Sequence, residues 1–111
     1  MLTYPGNARI FIFRETTDLR KGFEGLCALV ERAFGSDELI SGAFFSFLNR
    51  RRDRIKILYW DSDGFAIWYK RLERGSFPKR KLEEALVDRR TFLMMLEGVV
   101  PKRLQKRFKI V

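Results

Sequence analysis

Four guanidinium groups fall within five residues, at Arg50, Arg51, Arg52 and Arg54, and an aromatic-rich stretch leads from them to a second basic run at Lys70, Arg71 and Arg74. Clustered cations beside aromatic rings have a definite chemistry on nucleic acid. Guanidinium and ammonium groups displace the counterions condensed on phosphates, and a guanidinium can also reach a guanine edge. Aromatic rings stack on unpaired bases. The plainer reading is a solvated basic turn that keeps the protein in solution. We take Arg50, Arg51, Arg52, Arg54, Lys56, Lys70, Arg71 and Arg74 as the candidate nucleic-acid-binding set. Tyr59, Trp60, Trp68 and Tyr69 are the candidate stacking rings, although strand aromatics also build cores. Trp60 and Trp68 fall at cross-strand distance around a turn and could simply pair with one another.

Catalytic chemistry has few residues to draw on. There is no histidine, and the single cysteine, Cys27, falls on the apolar side of a predicted helix, where a buried thiol is inert. A metal-assisted phosphoryl transfer would have to use Asp53, Asp61, Asp63 and Glu73. Asp61 and Asp63 share one turn, whereas Asp53 belongs to the opposite tip, and D-x-D-G is ordinary turn chemistry. The sequence carries no P-loop, H-E-x-x-H, C-x-x-C or G-x-S-x-G pattern. The expectation is a protein that is not an enzyme and takes no metal or cofactor.

The elements that position these residues follow from patterning. Residues 8–13 read as a short strand, and Thr16, Thr17 and Asp18 offer helix N-caps. From Leu19 to Phe34 apolar residues recur at helical spacing, with Gly35 as a C-cap. Gly22 and Gly25 then sit three apart on one helix face, either to admit a second backbone or merely tolerated. Arg20 and Lys21 would occupy the first turn, where the macrodipole disfavours cations. That mismatch suggests a partner, or an acidic neighbour such as Glu24, Asp61 or Asp63. Residues 36–42 read as a polar loop, and 43–48, 54–60 and 65–71 as three successive strands. Their short connections predict antiparallel pairing, with Gly64 supplying a positive φ in the Asp61–Gly64 turn. The Lys70–Arg74 run is expected about one strand length from the arginine tip, making a stripe across the sheet. Beyond Pro78, Leu82, Leu86 and Val87 suggest a short helix, and Thr91 to Leu96 another turn or two. The tail from Lys102 to Val111 reads as a helix, a strand or an arm that orders on a partner.

Length and charge bound the rest. A chain of 111 residues, 46% apolar, can bury one core without disulfides or metals, so we read residues 1–111 as a single domain. Net charge is +9, and its distribution is uneven. Residues 1–49 carry five Lys/Arg against six Asp/Glu; residues 50–111 carry eighteen against eight. Such asymmetry suits a face that meets a polyanion. A lone cysteine fits a reducing compartment, and the N-terminal residues lack the pattern of a secretory signal. No apolar run approaches the ~20 residues of a membrane span. The expected location is cytoplasmic, with no membrane partner.

Two motifs add a family resemblance. Thr17 to Leu26, TDLRKGFEGL, resembles the T-D-x-R-K-G-F-x-G-L signature of the small accessory protein of IS66-type bacterial insertion sequences, the second-open-reading-frame product often called TnpB. Asp53 to Asp61, Gly64-Phe65 and Lys70 to Phe77 resemble that family's central block, R-x-K-x-L-x-W-D-x-x-G-F-x-x-x-x-K-R-L-E-x-G-x-F, and Leu96-Glu97-Gly98 its late L-L-E-G. The resemblance spans about residues 8 to 98. It implies a role in mobilising an insertion element beside a separate, larger transposase that carries the strand-transfer carboxylates. It supplies no established site residues.

Together these readings predict an α+β fold: a small antiparallel sheet packed against the Leu19–Phe34 helix, with a short C-terminal helical region. The expected function is a non-catalytic accessory factor for transposition that binds DNA through the basic hairpin. The alternative is an adaptor that docks on the transposase without specific DNA binding. Arg20, Lys21, Trp68 and Phe77 are the candidate partner-binding residues. Symmetric element ends make a homodimer possible.

Overall fold

A computed structural model describes residues 9–77 and 86–87. The elements run in the order β1 (Ile10–Ile12), α1 (Phe23–Phe34), α2 (Ser36–Leu39), β2 (Phe44–Leu48), β3 (Arg54–Trp60), β4 (Phe65–Arg71) and β5 (Leu86–Val87). They form one sheet of order β4-β3-β2-β1-β5. The fold is α+β, with one main helix, as the patterning predicts.

The sheet is mixed rather than purely antiparallel. β2, β3 and β4 form an antiparallel meander, with Leu48 opposite Ile55 and Trp60 opposite Phe65. β1 instead runs parallel to β2, with Ile10 opposite Phe44. The reason lies in the connection, because a parallel neighbour needs a long crossover, and α1 and α2 occupy the one between β1 and β2. Leu86–Val87, expected on a helix, pair antiparallel with β1 instead. Two apolar residues carry no period, so pairing with an available sheet edge decides their state. The other readings beyond Pro78, including Thr91–Leu96 and the tail from Lys102, lie outside the described residues.

Each sheet face carries its own cluster. Leu26 and Val30, one helical turn apart, pack with Leu19, Leu39, Phe45, Phe47 and Leu58 on the α1 side. Phe11 stacks on Phe45 at 5.6 Å and Phe13 on Phe47 at 4.6 Å, which seals that layer with aromatic rings. On the opposite face Ile10, Ile12, Phe44, Leu48, Ile55, Ile57 and Phe77 form a second cluster, flanked by Tyr59, Trp68 and Leu72. All five β2 side chains are buried, so β2 is the central strand, covered on both faces. Burial of each large aliphatic or aromatic side chain contributes about 1.5–3 kcal/mol.

Helix α1 begins later than the cap candidates predict. Gly22 is its N-cap and provides no side-chain cap, while Thr16 to Lys21 form an irregular approach. Glu24 in the first turn and Arg32 in the last suit the macrodipole. Arg20 and Lys21 precede the helix, so the predicted dipole mismatch does not arise. Gly25 faces the Lys21 side chain rather than another backbone, and Gly22 has open space where a Cβ would stand. The tolerance reading of these glycines therefore holds. In the β3–β4 turn the positive φ falls on Ser62 (59°), not on Gly64.

Candidate nucleic-acid interface

The β3–β4 register changes the expected charge map. Arg54 stands directly opposite Arg71, and Ile55 opposite Lys70. A hairpin strand returns the chain to where it began, so the Lys70–Arg74 run starts at the arginine tip and not one strand length away. The two predicted clusters are one. Asp61 and Asp63 lie at the other end, on the order of 20 Å from Asp53 at ~3.3 Å per residue. Those carboxylates do not converge. Among the described residues no group of three His, Cys, Asp or Glu side chains could hold a metal ion.

The tip itself is built on Asn49. Its side-chain oxygen accepts the Arg54 N–H at 3.0 Å, and its amide nitrogen donates to Asp53 Oδ1 at 2.7 Å. That bond holds the Asp53 carboxyl below its usual range, helped by the charges of Arg54 and Arg51. The Arg52 N–H donates to the Asn49 carbonyl at 3.0 Å, closing a turn. Arg52 has a positive φ of 58°, and its Nε is buried without a hydrogen-bond partner. Its guanidinium is thus tucked into the fold more than those of Arg50, Arg51 and Arg54, which are exposed. From below, Leu72 N–H donates to the Asp53 carbonyl and Phe77 N–H to the Arg52 carbonyl, each at 2.7 Å.

A second wall comes from the segment before α1. Thr17 N–H donates to the Leu48 carbonyl at 2.8 Å, which ties this segment to the end of β2. Asp18 Oδ1 accepts the Arg20 N–H at 3.0 Å, and both carboxylate oxygens accept from the Arg20 guanidinium at 2.6–3.0 Å. These hydrogen bonds hold the Asp18 carboxyl far below its usual range and raise Arg20. Lys56 Nζ donates to the Lys21 carbonyl at 2.9 Å and lies 5.1 Å from the Tyr69 ring centroid. Lys56 is therefore engaged in latching this segment to the sheet.

Between the two walls lies an open cleft of about 460 Å³. Its charged lining is Arg20, Arg50, Arg51, Arg54 and Asp18, with Thr16, Thr17, Asn49 and Tyr69 among the neutral groups. Among the described residues one carboxylate faces four guanidiniums, an electropositive lining. Arg20, predicted as a partner contact, joins the tip arginines here. Arg71 stands at the same end and reaches Glu73 through an exposed bridge of 3.2 Å. Arg74 is exposed beyond it, and Lys70 points to the opposite face of the sheet from Tyr69 and Arg71.

The other predicted site residues separate. Phe77 is fully buried in the far-face cluster and Trp68 packs against the same cluster. Trp60 makes an edge contact with Phe65 at 5.0 Å and not with Trp68, because the register sets Trp68 against Ile57. Of the four candidate stacking rings only Tyr69 is counted as exposed, at 49%. Sequence reasoning missed Thr16, Thr17, Asp18 and Asn49 as lining. An acceptor side chain two residues before Arg20 was the available signal for a local turn.

Fold and site together define a small α+β protein with an arginine-lined cleft at one end of its sheet. The chain matches the family described as IS66 Orf2 like protein over residues 8–106, and it belongs to that family. The family's description ties it to the second open reading frame of IS66-type insertion sequences. Two relatives come from Sinorhizobium fredii (strain NBRC 101917 / NGR234). One, uncharacterized protein y4jC, is 39% identical over 69 residues, 62% of this chain and 58% of the relative. The other, uncharacterized protein y4hO, is 34% identical over 77 residues, 69% of this chain and 66% of the relative. The matched region thus spans less than two thirds of either relative's length. No solved structure matches significantly. No helix among the described residues is long and apolar enough to cross a membrane.

Proposed function

We propose that the protein is a non-catalytic accessory factor for transposition of a bacterial insertion sequence, and that it binds the element's DNA through the arginine cleft. The observation that supports this most is the convergence of Arg20, Arg50, Arg51 and Arg54 on one concavity whose lining, among the described residues, includes a single carboxylate. The register adds Arg71 directly opposite Arg54. Like charges placed so oppose folding slightly, and a polyanion removes the penalty. The transposase of the same element is the natural protein partner. Full burial of Phe77 in the far-face core counts against docking through it, whereas Trp68 flanks that core and is only partly buried.

The test is fluorescence anisotropy over a salt series, comparing the element's terminal duplex with a scrambled one. Each phosphate neutralised contributes about 0.9 to the slope of log affinity against log salt on duplex DNA. An Arg50/Arg51/Arg54 alanine variant should flatten that slope by roughly 2–3. Arg52 is left intact because its guanidinium is part of the tip's own packing. Equal affinity of variant and wild type at every salt concentration would remove the cleft from the interface. Preference for the terminal duplex would make the protein an end-recognition factor.

A further inference from the structure

The cleft has features that a convex double helix does not use. Its arginines line a concavity rather than a ridge, and its volume lies within the ~300–1,000 Å³ typical of pockets that enclose small ligands. Tyr69 on its wall is 49% exposed. In a duplex the base faces are stacked inside, so a ring on a cleft wall meets only sugar and phosphate. An unpaired nucleotide can offer its π-face to the ring and its phosphates to the arginines together. We propose that the cleft receives a single nucleic-acid strand, with a base stacked on Tyr69 and flanking phosphates on Arg20, Arg50, Arg51 and Arg54. This rests on the nucleic-acid reading above and names the form of nucleic acid.

Three local arrangements support the assignment. Asp18 engages Nε and one terminal nitrogen of Arg20, which fixes the guanidinium plane while its side chain stays 91% exposed. A fixed guanidinium with free N–H groups loses little freedom on meeting a phosphate. Lys56 holds the Tyr69 side of the cleft to the Lys21 backbone, so ring and arginine walls keep their spacing. The Thr16 and Thr17 hydroxyls add neutral groups that hydrogen-bond sugar or phosphate oxygens.

The experiment uses the full chain with a fluorescent 12-nucleotide oligodeoxythymidine and a 12-base-pair duplex, each at the same salt concentration. Tighter binding of the single strand is expected. Tyr69→Leu should weaken it about 5- to 150-fold, the range of one lost base–aromatic stack, and weaken duplex binding far less. Tyr69→Phe should retain the single-strand affinity. Photocrosslinking of a bromodeoxyuridine-substituted strand to the wild type gives a second readout, independent of how any variant folds, and should map to the peptide containing Tyr69. Duplex binding as tight as single-strand binding, or a crosslink confined to other peptides, would overturn the strand assignment while leaving DNA binding intact. Failure of both probes to bind at low salt would overturn both readings.

Discussion

Replacing Arg54 by glutamine should make the protein bind nucleic acid less well without making it less stable. Arg54 and Arg71 are directly opposed on neighbouring strands. Their heads, if splayed to about 7 Å, repel by ~0.6 kcal/mol in water, and screening at 0.1 M salt roughly halves this. Removal of one head should therefore change unfolding free energy by less than about 1 kcal/mol, in the stabilising direction, within the range of cross-strand pairs. The Arg54 backbone N–H still donates to Asn49 in the variant, so the tip keeps its turn. Binding should lose roughly one phosphate contact, a change of about 0.7–0.9 in the salt slope. Urea unfolding of wild type, Arg54→Gln, Arg71→Gln and the double variant closes a cycle whose coupling should be repulsive and should shrink with added salt. Anisotropy on the same four proteins supplies the second axis. If Arg54→Gln lowers stability by well over 1 kcal/mol and leaves affinity untouched, Arg54 is a structural residue and the functional argument fails.

Two further outcomes follow from the geometry. Phe77→Ala should destabilise the fold by about 3–5 kcal/mol, as truncation of a fully buried phenylalanine does; at about 4 °C per kcal/mol for a chain of this size, thermal unfolding should shift down by roughly 12–20 °C. An unchanged melting temperature with weakened capture of the transposase would restore Phe77 to a docking role. For Asp18, the folded carboxyl lies below its unfolded value of 3.8, so its stabilising contribution is present above that value and disappears only as pH falls through the lower folded value. Carboxyl-carbon NMR should find an Asp18 midpoint well below 3.8 that moves up toward it in Arg20→Ala; a midpoint already near 3.8 in the wild type would show the Asp18–Arg20 clamp absent in solution.

The hairpin, the main helix and the α+β class were legible because alternation and helical spacing act locally. Ile55, Ile57 and Tyr59 on one face, with Leu58 and Trp60 on the other, could hardly be read except as a strand. The predicted antiparallel hairpin already folds β4 back on β3. Setting Lys70–Arg74 a strand length from the Arg50–Arg54 tip did not follow that topology through, and the register returns the run to the tip. Asp18 posed a different difficulty, since an aspartate that accepts an N–H two residues on begins a helix or closes a local turn with the same bond. Here the turn wins and α1 starts only at Phe23. Phe77 follows Arg74-Gly75-Ser76, so no periodicity betrays its burial. The parallel β1–β2 pair required knowing that the long connection from Phe13 to Ala43 is a crossover.

The stiffness of the tip bears on what kind of binding surface it makes. A flexible arginine loop gains phosphate contacts but must order several rotamer-rich side chains and their backbone, at about 0.5–1.5 kcal/mol per side chain. Here the backbone part is already spent on folding. Asn49 closes the turn, and the Leu72 and Phe77 N–H groups hold it from beneath. Arg52 is kept at a positive φ with a buried, unpartnered Nε, which costs on the order of 1–3 kcal/mol for the strained backbone alone. The Asp18 carboxylate and the Lys56 latch fix the opposite wall. A surface needed only for solubility gains nothing from this fixation, because solvated charges work as well on a mobile loop. A cleft that must match the spacing of successive phosphates does gain from it, and that difference favours a binding site over a solubilising patch.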